Sequence, residues 1–210
     1  MTVAITPADL AASIVSELGG SQQSVDMMIG IGLVKDTEAV FFQYLGDEQT
    51  PAALMMPSGK PCTRMANIRL TGLSVADGIG EFNSVKLNMF IESSQGRTLM
   101  LTSGLTTIWS QCVITALMGL FETGNINLAF TLDTWKGTSK MRPCFAAIRS
   151  GDLKMSDNDM YEQLKEARAD RDNDKVLSIM RDAVSILNAA VGGPEPAQVV
   201  EAVTVTTDEF

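Results

Sequence analysis

The sequence contains no histidine, and that absence removes several kinds of chemistry at once. Serine and cysteine nucleophiles that depend on an imidazole base cannot be assembled, and the commonest zinc ligand is missing. Cysteine is also scarce, because Cys62, Cys112 and Cys144 are isolated and odd in number, which fits free thiols better than a disulfide framework. We therefore expect no catalytic residues, no metal site and no cofactor, and keep an enzyme that uses carboxylates as an alternative.

Long apolar runs are absent too. No uninterrupted run reaches the roughly 18 residues that indicate a membrane helix, and no cationic segment precedes the apolar residues of the N-terminus. A hydrophobic content of 45% over 210 residues is enough for one folded domain with appended segments. We therefore expect a soluble protein without a membrane partner, in the cytoplasm of a bacterial host cell or at its nucleoid.

Charge is distributed unevenly along the chain. The net charge is −9, yet residues 60–150 carry nine cations against five acids, while residues 1–59 and 151–210 carry net charges of −6 and −7. Because a polyanion responds to the local potential, a basic middle in an acidic molecule is compatible with phosphate binding. The shifts in composition divide the chain into an N-terminal helix and β-hairpin packing on the core (1–59), a central domain (60–150), a helical appendage (151–191) and a flexible tail (192–210).

The central region alternates between apolar and polar residues and then changes period. Strands are predicted at 64–75, 82–93 and 97–102, a helix at 105–121, and further strands at 126–134 and 142–149. The helix has an apolar stripe at every third or fourth residue, which includes Trp109 and makes that side chain a core residue. Outside this region we expect a helix at 6–18, a hairpin from 25–34 and 38–45, and mostly solvated helices within 156–191.

Five strands with a helix between the third and fourth give the order of an OB-fold, a partly open five-stranded barrel that binds oligonucleotides. The predicted fold class is therefore α+β with a mostly β core, consisting of an OB-like barrel with an added N-terminal hairpin and C-terminal helices. Other α+β folds can share this order, so the barrel is one of several solutions.

Two segments combine cations with flat side chains, as the binding of single strands requires. On the second strand, Lys86, Asn88 and Phe90 alternate with the apolar side chains and face the opposite side. The loop between the last two strands contains Trp135, Lys136, Lys140 and Arg142, and four arginines could extend the basic track: Arg64, Arg69, Arg97 and Arg149. Two plainer interpretations remain open, namely that Phe90 packs beneath the N-terminal hairpin and that Trp135 anchors a solvated hairpin.

The chain ends in two acids and an aromatic residue, Asp208, Glu209 and Phe210, after a Gly/Pro-rich linker. With the basic OB-like core, this architecture resembles bacterial and phage single-stranded DNA-binding proteins. The resemblance implies that the C-terminal tip recruits replication and repair proteins, because a pocket rimmed by arginine or lysine can hold both the ring and its carboxylate. This tip has fewer acids than is usual in that family.

The sequence therefore predicts a non-catalytic protein that binds single-stranded DNA without sequence preference in replication, recombination or repair. RNA remains an open alternative, since stacking platforms accept either nucleic acid. Self-association into a homo-oligomer is also open. The main competing hypothesis is a structural or assembly protein, such as one of a phage, that self-associates through its apolar N-terminal strands and the helical region 156–191.

Overall fold

The computed structural model describes residues 25–34, 37–45, 50–79 and 83–192. The predicted helix at 6–18 and the proposed partner-binding tip, Asp208, Glu209 and Phe210, lie outside these ranges. Within them are nine strands and three helices: β1 (Met27–Ile31), β2 (Phe41–Leu45), β3 (Thr50–Ala53), β4 (Arg64–Ile79), β5 (Ser84–Glu92), β6 (Thr98–Gly104), α1 (Ile108–Glu122), β7 (Phe130–Lys136), β8 (Cys144–Ser150), β9 (Leu153–Lys154), α2 (Asn158–Ala169) and α3 (Asn173–Val191).

The nine strands form one open sheet in the order β3-β2-β1-β6-β5-β4-β7-β8-β9. The fold is thus α+β, and the predicted chain order of three strands, a helix and two strands is present from β4 to β8. Closing those five strands into a barrel would bring β6 against β8. Instead, the N-terminal strand β1 pairs in parallel with β6 along residues Met27 to Gly30 and occupies that edge. The sheet does not close as a barrel.

Strand β4 connects the two halves of the sheet. Its first residues pair with β7 and its later residues pair with β5. The register shifts between Met65 and Ile68 and again between Leu70 and Gly72, and Asn67 has a left-handed φ of 53° in the first irregularity. Bulges of this kind bend a strand and increase its twist, so one 16-residue strand can serve both halves.

The N-terminal strands belong to the sheet and do not pack on top of it. β1 and β2 pair antiparallel with Gly30 opposite Phe42, which is the hairpin expected from the sequence. The hairpin joins the core sheet edge to edge, because β1 extends the sheet beyond β6. Strand β3 pairs with β2 and continues the sheet further.

The C-terminal helices complete the core. The predicted helical region 156–191 divides into α2 and α3, whose N-caps are Asp157 and Asp172. Val176, Met180 and Leu187 of α3 are buried in the same hydrophobic cluster as the sheet. Asn188 accepts a hydrogen bond from the Leu73 amide at 3.0 Å, beside the second irregularity of β4. Most residues of the region 156–191 are exposed, as predicted, while the apolar stripe of α3 covers β4.

Candidate nucleic-acid interface

The sheet has two faces of different character. Residues opposite one another in neighbouring strands share a face, so Leu73, Met89 and Leu101 lie on one side and Phe90 with Met100 on the other. The first side, which we call the inner face, packs with the three helices in one core cluster. The other side, the outer face, carries most of the predicted binding residues.

The outer face of β5 holds Lys86, Asn88 and Phe90, as the alternating pattern predicted. Lys86 is half-buried, but Phe90 exposes 9% of its surface and Asn88 exposes 7%. The expectation of a solvent-exposed ring at Phe90 is therefore wrong. Its neighbour across the sheet is Met100 of β6, and the N-terminal hairpin follows beyond β6 in the same sheet.

Trp135 presents the exposed ring that the sequence predicted. It is 44% exposed on the outer face of β7, and its ring stacks on Phe145 of β8 with centroids 6.0 Å apart and planes at 16°. The loop that follows is packed closely against this pair, because a Cβ on Gly137 would lie 2.8 Å from the Phe145 ring. Phe145 therefore supports one side of the indole, and a flat ligand could extend the stack on the exposed side.

The basic loop after Trp135 is partly engaged by its own chain. Lys136 donates a hydrogen bond to the Thr37 carbonyl at 2.6 Å. Arg142 donates hydrogen bonds to both carboxylate oxygens of Glu38 at 2.6 and 2.8 Å, and this guanidinium lowers the pKa of Glu38. Lys140 is exposed. Two of the three predicted loop cations thus fasten the loop between β1 and β2 to the loop between β7 and β8.

Two predicted arginines share one carboxylate on the outer face. Asp133 of β7 accepts from Arg64 at 2.5 Å and from Arg149 at 3.2 Å. Arg64 is the main cause of the lowered pKa of Asp133, and Asp133 in turn raises the pKa of Arg64. Both arginines remain substantially exposed, with side-chain exposures of 62% and 44%. Arg64 and Arg149 can therefore bind an incoming phosphate that displaces the Asp133 carboxylate.

The two remaining arginines differ in position. Arg69 is exposed on the outer face of β4, opposite Glu92. Arg97 is exposed in the turn between β5 and β6. The outer face therefore brings together Arg64, Arg69, Lys86 and Arg149 with Trp135, and places Arg97, Lys140 and Arg142 at the ends of strands.

Sequence reasoning missed a group of side chains on this face. The outer face also holds Met28 of β1 and Phe42 and Tyr44 of β2. Met28 lies opposite Met100 of β6, and Phe42 lies opposite Gly30 of β1, so all three share the face of Phe90. Tyr44 is 50% exposed and Met28 is 38% exposed. The alternation in β2 could have indicated that two rings lie on one side of that strand. The pairing of β1 with β6 could not be predicted, because no pattern in the sequence of β1 indicates which strand lies next to it.

Three other features of the described residues concern possible chemistry. Burial raises the pKa of the Cys62 and Cys144 thiols, so neither is an activated nucleophile. Among the residues that the structure describes, no group of three histidine, cysteine or acidic side chains could hold a metal ion. A cavity of about 140 Å³ lies between α1, α2 and β8, and Arg168 in its wall donates to Gln111 at 2.7 Å. No helix in the described ranges is long and apolar enough to cross a bilayer.

Comparison with models of known protein families finds no match, and comparison with curated proteins and with solved structures finds none either. The function must therefore be argued from the site itself.

Proposed function

We propose that this protein binds single-stranded DNA without sequence preference and acts in DNA replication, recombination or repair. The observation that carries the proposal is the composition of the outer face. At its paired positions on β4, β5, β7 and β8, four cations stand against the two acids Glu92 and Asp133. An exposed indole lies on the same face. Cations that track the backbone and a ring on which bases stack are the two elements of non-specific single-strand binding.

The order of elements supports the same proposal. Segment β4 to β8 has the strand and helix order of an OB-fold, in which the face of the second and third strands and the loop before the last strand bind oligonucleotides. Lys86 and Asn88 lie on the corresponding face of β5, and Lys140 lies in the corresponding loop. We propose that β4 to β8 form an opened OB-like unit, to which β1, β2 and β3 add an edge.

The recruitment of partners is the second part of the proposal. It assigns Asp208, Glu209 and Phe210 to replication and repair proteins, and it rests on the resemblance of the C-terminal sequence to that of single-stranded DNA-binding proteins. The proposed location, the cytoplasm of a bacterial host cell or its nucleoid, rests on the same resemblance.

The two tryptophans allow a clean test of DNA binding. Trp109 is 1% exposed in α1, whereas Trp135 is 44% exposed on the outer face. In a Trp109→Phe variant, we expect oligo-dT to quench the remaining Trp135 fluorescence, and added salt to reverse the quenching steeply. The matched Trp135→Phe variant retains the buried indole and should respond little. If Trp135 shows no quenching at low salt, the proposal fails.

The same assay separates the possible nucleic acids. Titrations of the Trp109→Phe variant with single-stranded DNA, duplex DNA and single-stranded RNA of equal length compare the three ligands directly. A base within a duplex is already stacked on both sides, so a stacking platform should favour single strands. Equal affinity for duplex and single strands would show that the cations act without the ring.

A further inference from the structure

We infer that the outer face of β1 and β2 is a second base-stacking platform, in which Tyr44, positioned by Phe42 and flanked by Met28, binds an unpaired base of the strand that contacts Trp135. The inference rests on the proposed function and extends the site to strands outside the OB-like unit. The ligand class is a nucleobase of single-stranded nucleic acid.

The register places this platform on the same surface as the predicted site. Met28 lies opposite Met100, and Met100 lies opposite Phe90, all on the outer face. Extending the register of Gly30 opposite Phe42 by two residues places Tyr44 beside Met28 on the same face. Neighbouring strands are about 4.8 Å apart, so this row extends about 14 Å from Tyr44 to Phe90. Exposure is 50% at Tyr44 and 38% at Met28, but falls to 8% and 9% at Met100 and Phe90. The ring surface that Phe90 was expected to offer is therefore supplied by β2.

The platform is fixed in place before any ligand arrives. The rings of Tyr44 and Phe42 meet edge to face, with centroids 5.3 Å apart and planes at 86°. The Phe42 ring lies over Gly30 of β1, where an added Cβ would be 2.3 Å from a ring carbon. Because glycine leaves that space open, Phe42 packs on the β1 backbone and provides an edge for Tyr44. A pre-positioned ring loses little conformational entropy when a base stacks on it.

Charge and continuity favour a nucleic acid as the occupant. Strand β4 runs from one ring platform towards the other. At its start, Arg64 pairs with Asp133, which is two residues before Trp135 in β7. Further along, Gly72 lies opposite Phe90, in the row of side chains that leads to Tyr44. The eight steps from Arg64 to Gly72 extend at most about 26 Å, at 3.3 Å per residue, and the exposed Arg69 lies between them on the outer face. Arg64 and Arg69 can therefore contact phosphates along the first part of a path from Trp135, and the row of Phe90, Met100 and Met28 continues that path to Tyr44.

A tryptophan placed at Tyr44 reports directly on the platform. In a Trp109→Phe, Trp135→Phe background, which keeps an aromatic ring at position 135, Tyr44→Trp should be quenched by oligo-dT, and added salt should reverse the quenching. Tyr161 of α2 is the matched control, because it is 47% exposed on a helix away from the sheet's outer face, and Tyr161→Trp should not respond. If both reporters respond equally or neither responds while Trp135 is quenched, the second platform is refuted and the proposed function stands. If Trp135 is also silent, both ideas fall.

Length dependence gives a second, independent measurement. In the Trp109→Phe background, Tyr44→Ala should weaken binding of oligo-dT of about 20 nucleotides by roughly 5- to 100-fold, the effect of losing one stacked base. We expect an oligonucleotide of about 5 nucleotides to occupy the Trp135 platform alone and to bind as before. An equal loss for both lengths, or no loss, contradicts the inference. If Tyr44→Ala alters sedimentation of the unliganded protein but not DNA affinity, the face is a protein contact and the inference is wrong.

Discussion

The shared carboxylate Asp133 gives the sharpest test of how the outer face works. It accepts hydrogen bonds from Arg64 at 2.5 and 3.2 Å and from Arg149 at 3.2 Å, so a phosphate must compete with it for both guanidinium groups. Asp133→Asn removes the negative charge and keeps the size and shape of the side chain. We therefore expect the variant to bind single-stranded DNA more tightly than the natural protein at low salt.

The magnitude follows from counterion release. For single strands, the slope of log Kobs against log salt is about −0.7 for each phosphate neutralised. If Asp133→Asn makes both arginines available to phosphates, the slope should become steeper by about 1.4. Between about 50 and 200 mM salt, the variant should then lose about sevenfold more affinity than the natural protein.

Fluorescence anisotropy of labelled oligo-dT at several salt concentrations measures this slope. Asp77→Asn is the matched control, because Asp77 pairs with Arg181 of α3 and its loss changes the net charge equally. The control should retain the natural slope. If Asp133→Asn also retains it, Arg64 and Arg149 do not contact phosphates, and the phosphate path that leads from Trp135 is wrong.

Two further predictions concern the packing that supports the outer face. Gly119→Ala should lower the free energy of unfolding by about 1–3 kcal/mol, because the added Cβ would lie 2.7 Å from the Ser156 backbone. Alanine normally favours a helix interior, so an unchanged or higher urea midpoint would refute this prediction. Asn188→Ala should cost about 1–3 kcal/mol by leaving the buried Leu73 amide without its acceptor, and urea unfolding should show a much smaller effect for the exposed Ser185→Ala on the same helix.

Local patterns were sufficient to predict the elements of the central region. The alternation at 82–93 corresponds to β5 at Ser84–Glu92, and the apolar stripe at 105–121 corresponds to α1 at Ile108–Glu122. Trp109 is buried, as its place in that stripe predicted. These features follow from the periods of strands and helices, which are properties of neighbouring residues.

Pairing between distant strands was not predictable in this way. Met27 pairs with Leu99 in the parallel contact of β1 and β6, and nothing in either segment indicates the other. That contact opens the predicted barrel, places Tyr44 on the outer face and changes the surroundings of Phe90. The alternation correctly gave the side on which Phe90 lies, but the burial of Phe90 depends on its neighbours across the sheet.

The competing assembly hypothesis assigned self-association to two apolar segments, the N-terminal strands and the helical region 156–191. The structure places both within the chain's own fold, because Ile29 and Phe41 are buried in the sheet core and Met180 and Leu187 of α3 are buried beneath β4. Residues 60–150, which contain β4 to β8, carry nine cations against five acids, so the potential at the outer face is set locally. An overall charge of −9 therefore does not oppose phosphate binding. The local obstacle is Asp133, which lies within reach of the arginines themselves.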